Sequence, residues 1–393
     1  MRVAPIVTSY GLKASKLNFG KISYAKDRQT EYDITAIGSA TRDNFYTTKE
    51  SVILYHNGKP YLSYPLGAKL EATSQTEMGG GAVNTAINLK NLGLATAVIT
   101  KVGKDPKGKQ LKKLLERSGI KTEGLIMEKD GKTASSVILK HEYTDDKEKR
   151  KKPFLSLLFP SAPKIKLDDR TVLADRGVGS AMRADEINKD VIKKSDWILI
   201  APLNGESAGA LEPTAVYAEE NGVRMAMIMG KASIAKGFDS LVPTLDTAEI
   251  VVMNREEASD LTKIKIKSDD TSEIPKDVKD MFAKIKTTKA EVVVITDGSK
   301  GAYAYDGEKY YKSPIFPPVE VVNTLGAGDA FASTFTASMI KTEGDIEKSL
   351  AYAAVNSSAV VEQFGAHDGI LTFEQMDEKL SASDFKIKQI AAA

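Results

Sequence analysis

Four compact apolar runs, DWILIA (196–201), RMAMIMG (224–230), EIVVMN (249–254) and EVVVIT (291–296), recur along the chain with helix-patterned stretches between them. Strands apolar on both sides need cover on both faces, and strands joined through helices run parallel. That pattern predicts an α/β fold, a doubly wound and mostly parallel sheet with helices on both faces. YDITAIGSA (32–40) and TAVITKVG (96–103) read as further strands. GGGAVNTAINLKNLG (79–93) opens on glycines, continues with Ala86, Leu89 and Leu92 at helical spacing and stops at Gly93; KGKQLKKLLERSG (107–119) is a second helix, ending at Gly119.

A second set of segments does not alternate with helices. SVILYHNGKPYLSYPL (51–66) reads as a hairpin about Asn57-Gly58, and TASSVILKHEY and FLSLLF read as strands. The segments near 45–75 and 134–175 are therefore expected to form a small β-sheet lid over the main domain. Residues 1–31 are polar and weakly patterned and are expected to form an extension; the main domain is expected over 32–385. TDDKEKRKKP (144–153) is a charge run, read as a solvated loop rather than a phosphate contact.

Composition narrows the chemistry. The 393 residues carry a formal net charge of +2, which gives no basic excess for nucleic acid. No cysteine is present, which excludes a disulfide scaffold, a thiol nucleophile and a cysteine zinc site; three scattered histidines argue against a histidine-rich metal site. Any metal should be hard and oxygen-bound, such as Mg²⁺. No apolar run approaches the ~20 residues of a membrane helix, and the N-terminus lacks a sustained apolar segment of the signal-peptide kind. A soluble, cytoplasmic protein without membrane partners is expected.

The most informative stretch is VVNTLGAGDAF (321–331). VEVV (319–322) reads as a strand, and Phe331, Phe335 and Met339 mark a helical face beyond it. The glycines then lie in a strand-to-helix turn, where free backbone N–H groups and the helix dipole favour an anion. Asp329 falls in the first turn of that helix. It is either an ordinary helix-start acid or a general base beside an anion hole; spacing alone leaves both readings open.

NTLGAGDAF resembles the second signature, D-T-x-G-A-G-D, of the PfkB (ribokinase-like) carbohydrate kinase family. GGGAVNTAINLKNLG with VGKDPKGKQLKKLLERSGI resembles the first signature, MNREEA the family's N-x-x-E, TDGSKG (296–301) its T-x-G-x-x-G phosphate loop, and GSATRD (38–43) its substrate strand. The resemblance spans about residues 32–372, with five motifs in order. It implies an ATP-dependent, Mg²⁺-requiring kinase that phosphorylates a hydroxymethyl oxygen of a sugar. A nucleoside kinase, a sugar-phosphate kinase and a non-catalytic binding protein are the alternatives.

On that resemblance Asp329 is the base, and the amides of Gly326, Ala327 and Gly328 form the anion hole. Asn254 and Glu257 hold Mg²⁺ through waters; a strand-end asparagine and helix-start glutamate is the plainer reading. Thr296, Gly298 and Gly301 line the nucleotide phosphates, and Asn356 is a candidate adenine contact. Asp43, Gly79, Gly80 and Asn84 face the acceptor, with Arg170 closing from the lid. The lid is also a candidate homodimer interface.

Three departures from the family pattern stand out. Asn323 replaces the first aspartate of the signature, which leaves monovalent-cation activation open and keeps a sugar-phosphate acceptor in view. Thr41 stands where ribokinases often carry asparagine. Ala82 replaces a frequent glycine. GKDPKGKQ (103–110) nearly matches a P-loop, but Gln110 lacks the hydroxyl that would bind Mg²⁺.

Overall fold

A computed structural model describes residues 30–57, 59–141, 170–267, 270–318 and 320–392. The charge run 144–153, FLSLLF and most of the N-terminal extension lie outside the described residues.

The large sheet has ten strands in the order β16-β15-β14-β13-β12-β11-β10-β1-β6-β7. From β7 (Lys121–Glu128) through β6 (Thr96–Gly103), β1 (Tyr32–Ile37), β10 (Ser195–Ile200), β11 (Arg224–Ile228) and β12 (Ile250–Asn254) to β13 (Val292–Thr296), every pairing is parallel. The runs read as strands from apolarity are these strands, and their buried residues feed cores on both faces. Ala36, Val98 and Val294 pack on one side with the helices Gly81–Asn91, Ala327–Lys341 and Ile346–Val361. Ile37, Ile198 and Val293 pack on the other with Leu211–Glu220 and Lys276–Ile285. Three antiparallel strands, β14 (Ala302–Tyr305), β15 (Lys309–Ser313) and β16 (Lys388–Ala391), extend the β13 edge.

The second sheet has the order β5-β2-β8-β9, built from β2 (Thr41–Thr48), β5 (Thr73–Gly79), β8 (Ala134–His141) and β9 (Arg170–Asp175). The hairpin is also found, as β3 (Val52–His56) and β4 (Lys59–Ser63), with Asn57 at φ 49° in the turn. The second sheet grows directly from the first: Gly38–Ala40 joins β1 to β2, and Gly79-Gly80 joins β5 to the Gly81 helix. Alternation along β2 and its partners puts Asp43, Glu77, Ser136, Lys140 and Arg170 on one face, and Tyr46 and Leu173 on the other.

Two helix ends follow the sequence signals. Gly93 (φ 83°) and Gly119 (φ 71°) each sit in left-handed conformation, and the next residue's N–H reaches back to the Leu89 or Leu115 carbonyl. One expectation fails. Residues 320–322 are not a strand. Pro317 and Pro318 just before them offer no N–H to a ladder, and the N–H groups of Val322 and Asn323 bond instead to the Val361 carbonyl, at 2.8 and 3.1 Å, where the Ile346 helix ends. The glycine turn is therefore carried by a helix terminus rather than a sheet edge.

Candidate active site

The glycine turn enters its helix with Gly326 as the N-cap, at φ 83°. A Cβ there would stand 2.4 Å from the Ala366 carbonyl oxygen, so both conformation and space require glycine. In the first turn, Ala330 N–H already reaches Gly326 O at 2.8 Å, and Ala327 N–H makes a long 3.4 Å contact with Thr324 O. Helix geometry leaves the Gly328 and Asp329 amides without an intrahelical acceptor. Beside Gly328 a Cβ would meet nothing within 4 Å. The open anion-facing amides are thus best represented by Gly328 and Asp329, with Ala327 partly engaged.

Asp329 lies in the first turn of this helix and is half-buried. Burial among surrounding atoms pushes its carboxyl pKa up, opposed by the hydrogen bond from Asn84. That bond runs from Asn84 Nδ2 to Asp329 Oδ2 at 2.9 Å. The amide's other end is left over: Asn84 Oδ1 is buried without a hydrogen-bond partner. A carboxylate at Asp329 fixes this orientation, because the flipped amide would set oxygen against oxygen.

The orphaned oxygen lies beside Gly79 and Asp43. A Cβ on Gly79 would meet Asn84 Oδ1 at 3.2 Å and Asp43 Oδ2 at 3.3 Å. Gly79 is the last residue of β5, opposite Thr41, not part of a loose helix-entry loop. Gly80 follows at φ 98°, where a Cβ would press to 2.6 Å from Ser39 O. Asp43 is held by Ser136, whose hydroxyl donates to Oδ1, and by a 3.4 Å contact from Thr41. Burial raises the Asp43 pKa, and the Ser136 and Thr41 hydroxyls oppose it. Asp43 Oδ2 and the orphaned Asn84 Oδ1 therefore flank one small space beside Gly79, with Asp329 bonded to the other end of the Asn84 amide.

Arg170 reaches over this space from the second sheet, with Nη1 3.4 Å from Thr324 Oγ1 in the glycine turn. Phe45 of the same sheet packs edge-on against Phe364 at 4.9 Å. Glu77, opposite Asp43 in register, accepts from Ala366 N–H at 3.3 Å. Its pKa is raised by burial, lowered by that bond and raised again by Asp368 and Asp43.

The remaining motif residues cluster on the same rim, at the C-terminal ends of β12 and β13, where open α/β sheets bind ligands. Asn254 and Thr296 are paired neighbours. Asn254 and Glu257 form a reciprocal capping box: Asn254 Oδ1 accepts from Glu257 N–H at 2.8 Å and Glu257 Oε2 from Asn254 N–H at 2.9 Å. The structural reading of N-x-x-E is realised. Glu257's pKa is nonetheless raised by burial, opposed by the Asn254 amide and by Lys231. Gly298 (φ 52°) has open space around it, whereas Gly301 (φ 90°) is pinned by Ser313 O.

One sequence candidate changes role, and the discounted P-loop lookalike stays discounted. Asn356 is fully buried. Its Nδ2 donates to Asn88 Oδ1 at 3.2 Å and Thr334 Oγ1 at 2.7 Å, and its Oδ1 accepts from Leu371 N–H at 2.9 Å. A side chain so enclosed, with both ends of its amide engaged inside the protein, is not placed to touch adenine; the family resemblance pointed to the helix but not to which of its faces is interior. The P-loop lookalike is filled by its own aspartate. Asp105 accepts from Gly108 N–H (2.8 Å), Thr133 N–H (2.9 Å) and Thr133 Oγ1 (2.6 Å). Sequence reasoning missed Ser136, Glu77, Lys231 and Asn88. Glu77 was within reach of it, since it shares a strand face with Gly79 two residues on.

Comparison with known proteins agrees with this geometry. The structure resembles Arabidopsis thaliana ribokinase complexed with ribose and ATP, at TM-score 0.69 and 20% identity over 90% of this chain and 100% of that one. An E. coli protein assigned as a ribokinase II, solved with ATP and Mg²⁺, gives TM-score 0.68 at 16% identity, over 89% and 99%. At these identities the likeness establishes the fold, a ribokinase-type α/β kinase fold. The family model for pfkB family carbohydrate kinases matches residues 37–148 and 165–372, and the chain belongs to that family. Among curated relatives, a 5-dehydro-2-deoxygluconokinase of Bacillus licheniformis is 25% identical over 92% of this chain and 99% of its own length. An ATP-dependent ribose-1-phosphate kinase of Halopiger xanaduensis is 28% identical over 71% and 79%. The protein is a phosphotransferase of the carbohydrate kinase class.

Proposed function

We propose that the chain transfers the γ-phosphoryl group of ATP to a hydroxymethyl oxygen of a small polyhydroxylated acceptor, with Asp329 as general base. The observation that carries this reading is the convergence of Asp329, the orphaned Asn84 Oδ1 and Asp43 beside the open amides of a helix start. Hydroxyl groups donate to Asp43 and Asn84 and so orient the acceptor. Asp329 takes the proton of the attacking hydroxyl as the new P–O bond forms and ADP departs with the electrons of the old one. The Gly328 and Asp329 amides face the charge on the phosphoryl oxygens.

The rim formed by Thr296, Gly298 and Gly301 suits the nucleotide phosphates. Glu257 supplies a half-buried carboxylate whose Oε1 lies outside the capping box, and Asn254 a neighbouring amide oxygen. All-oxygen donors with few carboxylates fit Mg²⁺ held largely through waters. Bound there, the ion would offset phosphate charge. Asn323 supports turnover without a monovalent cation: its buried amide donates to the Phe364 carbonyl and accepts from Leu325 N–H, filling the turn with its own hydrogen bonds.

A second reading of the acceptor has its own support. Lys140 and Arg170 are register partners on the face that carries Asp43. That placement favours a carboxylate or phosphate on the acceptor, as in the names of both curated relatives. Mg-ATP consumption across neutral sugars, sugar acids, sugar phosphates and nucleosides, in KCl and in choline chloride, tests both readings. Turnover of one acceptor class, equal in the two salts, is expected. Silence with every acceptor would refute the kinase reading.

A further inference from the structure

Asn88 lies one helical turn beyond Asn84, and no signature residue explains it. It is 1% exposed, and Asn356, Ser333 and Thr334 are fully buried around it. Asn88 Nδ2 approaches three acceptors on the Asp329 helix: Ala330 O (3.1 Å), Ser333 Oγ (2.6 Å) and Thr334 Oγ1 (3.0 Å). Its Oδ1 accepts from Asn356, which also donates to Thr334 Oγ1. Ser333 in turn donates to the Asp329 carbonyl. Three helices, Gly81–Asn91, Ala327–Lys341 and Ile346–Val361, thus meet on one hydrogen-bonded polar knot.

Buried amides are costly unless bonded, and these partners coincide at one register. Sliding the Asp329 helix by a residue would strip Asn88 Nδ2 of its three acceptors and Asn356 Nδ2 of Thr334 Oγ1 together. The ladder has two rungs one turn apart: Asn84 to Asp329 at the cleft, and Asn88 to Ser333 and Thr334 beneath it. The cleft rung is a single hydrogen bond; the buried rung is the one that resists sliding.

We propose that Asn88, with Asn356 and Thr334, is a positioning element that holds the Ala327–Lys341 helix in the register presenting Asp329 to the acceptor hydroxyl. This rests on the reading of Asp329 as the base. Small misplacements of a base are costly, with ~1 Å reaching about 10²-fold in rate.

Thr334→Val, which keeps the volume and removes the shared acceptor, and Asn356→Ser test the proposal, with Thr334→Ser as the rescue and Asp329→Ala as the control. Each is assayed for kcat, both KM values, the pH profile of kcat/KM and Tm. Both disruptive variants are expected to lose about tenfold or more in kcat with little change in either KM. The acidic limb should move to higher pH as the Asn84 bond to Asp329 loosens, and Thr334→Ser should restore both. Folded variants with lowered Tm but unchanged kcat and pH limb would overturn the proposal. Wild-type kcat in Asp329→Ala would instead refute the base on which it rests, so the two failures are separable.

Discussion

Asp329 illustrates what a sequence can and cannot say about a single residue. Its helix-start position was legible, and the family signature implied a base. Its raised pKa was not legible, because that comes from burial in a cleft assembled by Asn84, 245 positions away. A base must be ionised to accept a proton. With the pKa held above the ordinary carboxylate range, activity is expected to fall as pH drops through that raised value. In Asn84→Ala the hydrogen bond that opposes the rise is lost, so the acidic limb of kcat/KM should move further upward. A pH–rate profile of the two proteins checks this; a limb that stays put or moves down would count against Asp329 as the titrating base. Asn356 shows the converse. The same residue type, placed near an expected pocket by the family resemblance, proves to be interior, since a resemblance to a helix does not say which of its faces this chain covers.

At the scale of elements, the turns were more legible than the strands that frame them. The glycines at 80 and 326 were legible as opening helices, and the structure adds the close approach of the Ser39 and Ala366 carbonyls. VEVV failed because β-propensity reports a fit to a pleated, half-buried surface, and here the neighbouring surface is a helix end. The helix start at Asn254 was also readable from N-x-x-E, and the structure realises it as a reciprocal capping box with Glu257. Gly326→Ala puts a side chain into a left-handed position, at about 1–2 kcal/mol, and against the Ala366 carbonyl. We expect a lower Tm and a kcat reduced well beyond the loss of folded protein, because the amides at the helix start must tilt. Thermal melts with steady-state kinetics read both; a fully active variant would mean that the turn's geometry does not govern the rate.

The whole molecule divides into a ten-stranded doubly wound sheet and a smaller four-stranded sheet that grows from it. The middle of the doubly wound layer was legible because its strands are apolar on both sides, whereas the edge strands β7, β15 and β16 carry lysines and partly or fully exposed positions and gave no such signal. The smaller sheet was legible as β-rich segments that break the alternation, although its strand order and the parallel β2–β8 pairing were not, since register there depends on residues about 90 positions apart. Its outward side carries Tyr46 and Leu173 at 40% and 58% exposure, and the hairpin adds Leu54 and Tyr61 at 55% and 48%, an apolar spread that suits a second copy of the chain. A dimer by size-exclusion chromatography with light scattering is expected, converted to monomer by Leu173→Asp; a wild-type monomer at micromolar concentration would dismiss this use of the face. The central claim is chemical, and one comparison tests it most directly: kcat of wild type and Asp329→Ala with Mg-ATP and the best acceptor. Loss of about 10²–10⁴ in kcat with acceptor and ATP KM nearly unchanged is the predicted result. An alanine variant that phosphorylates its acceptor at the wild-type rate would contradict the account.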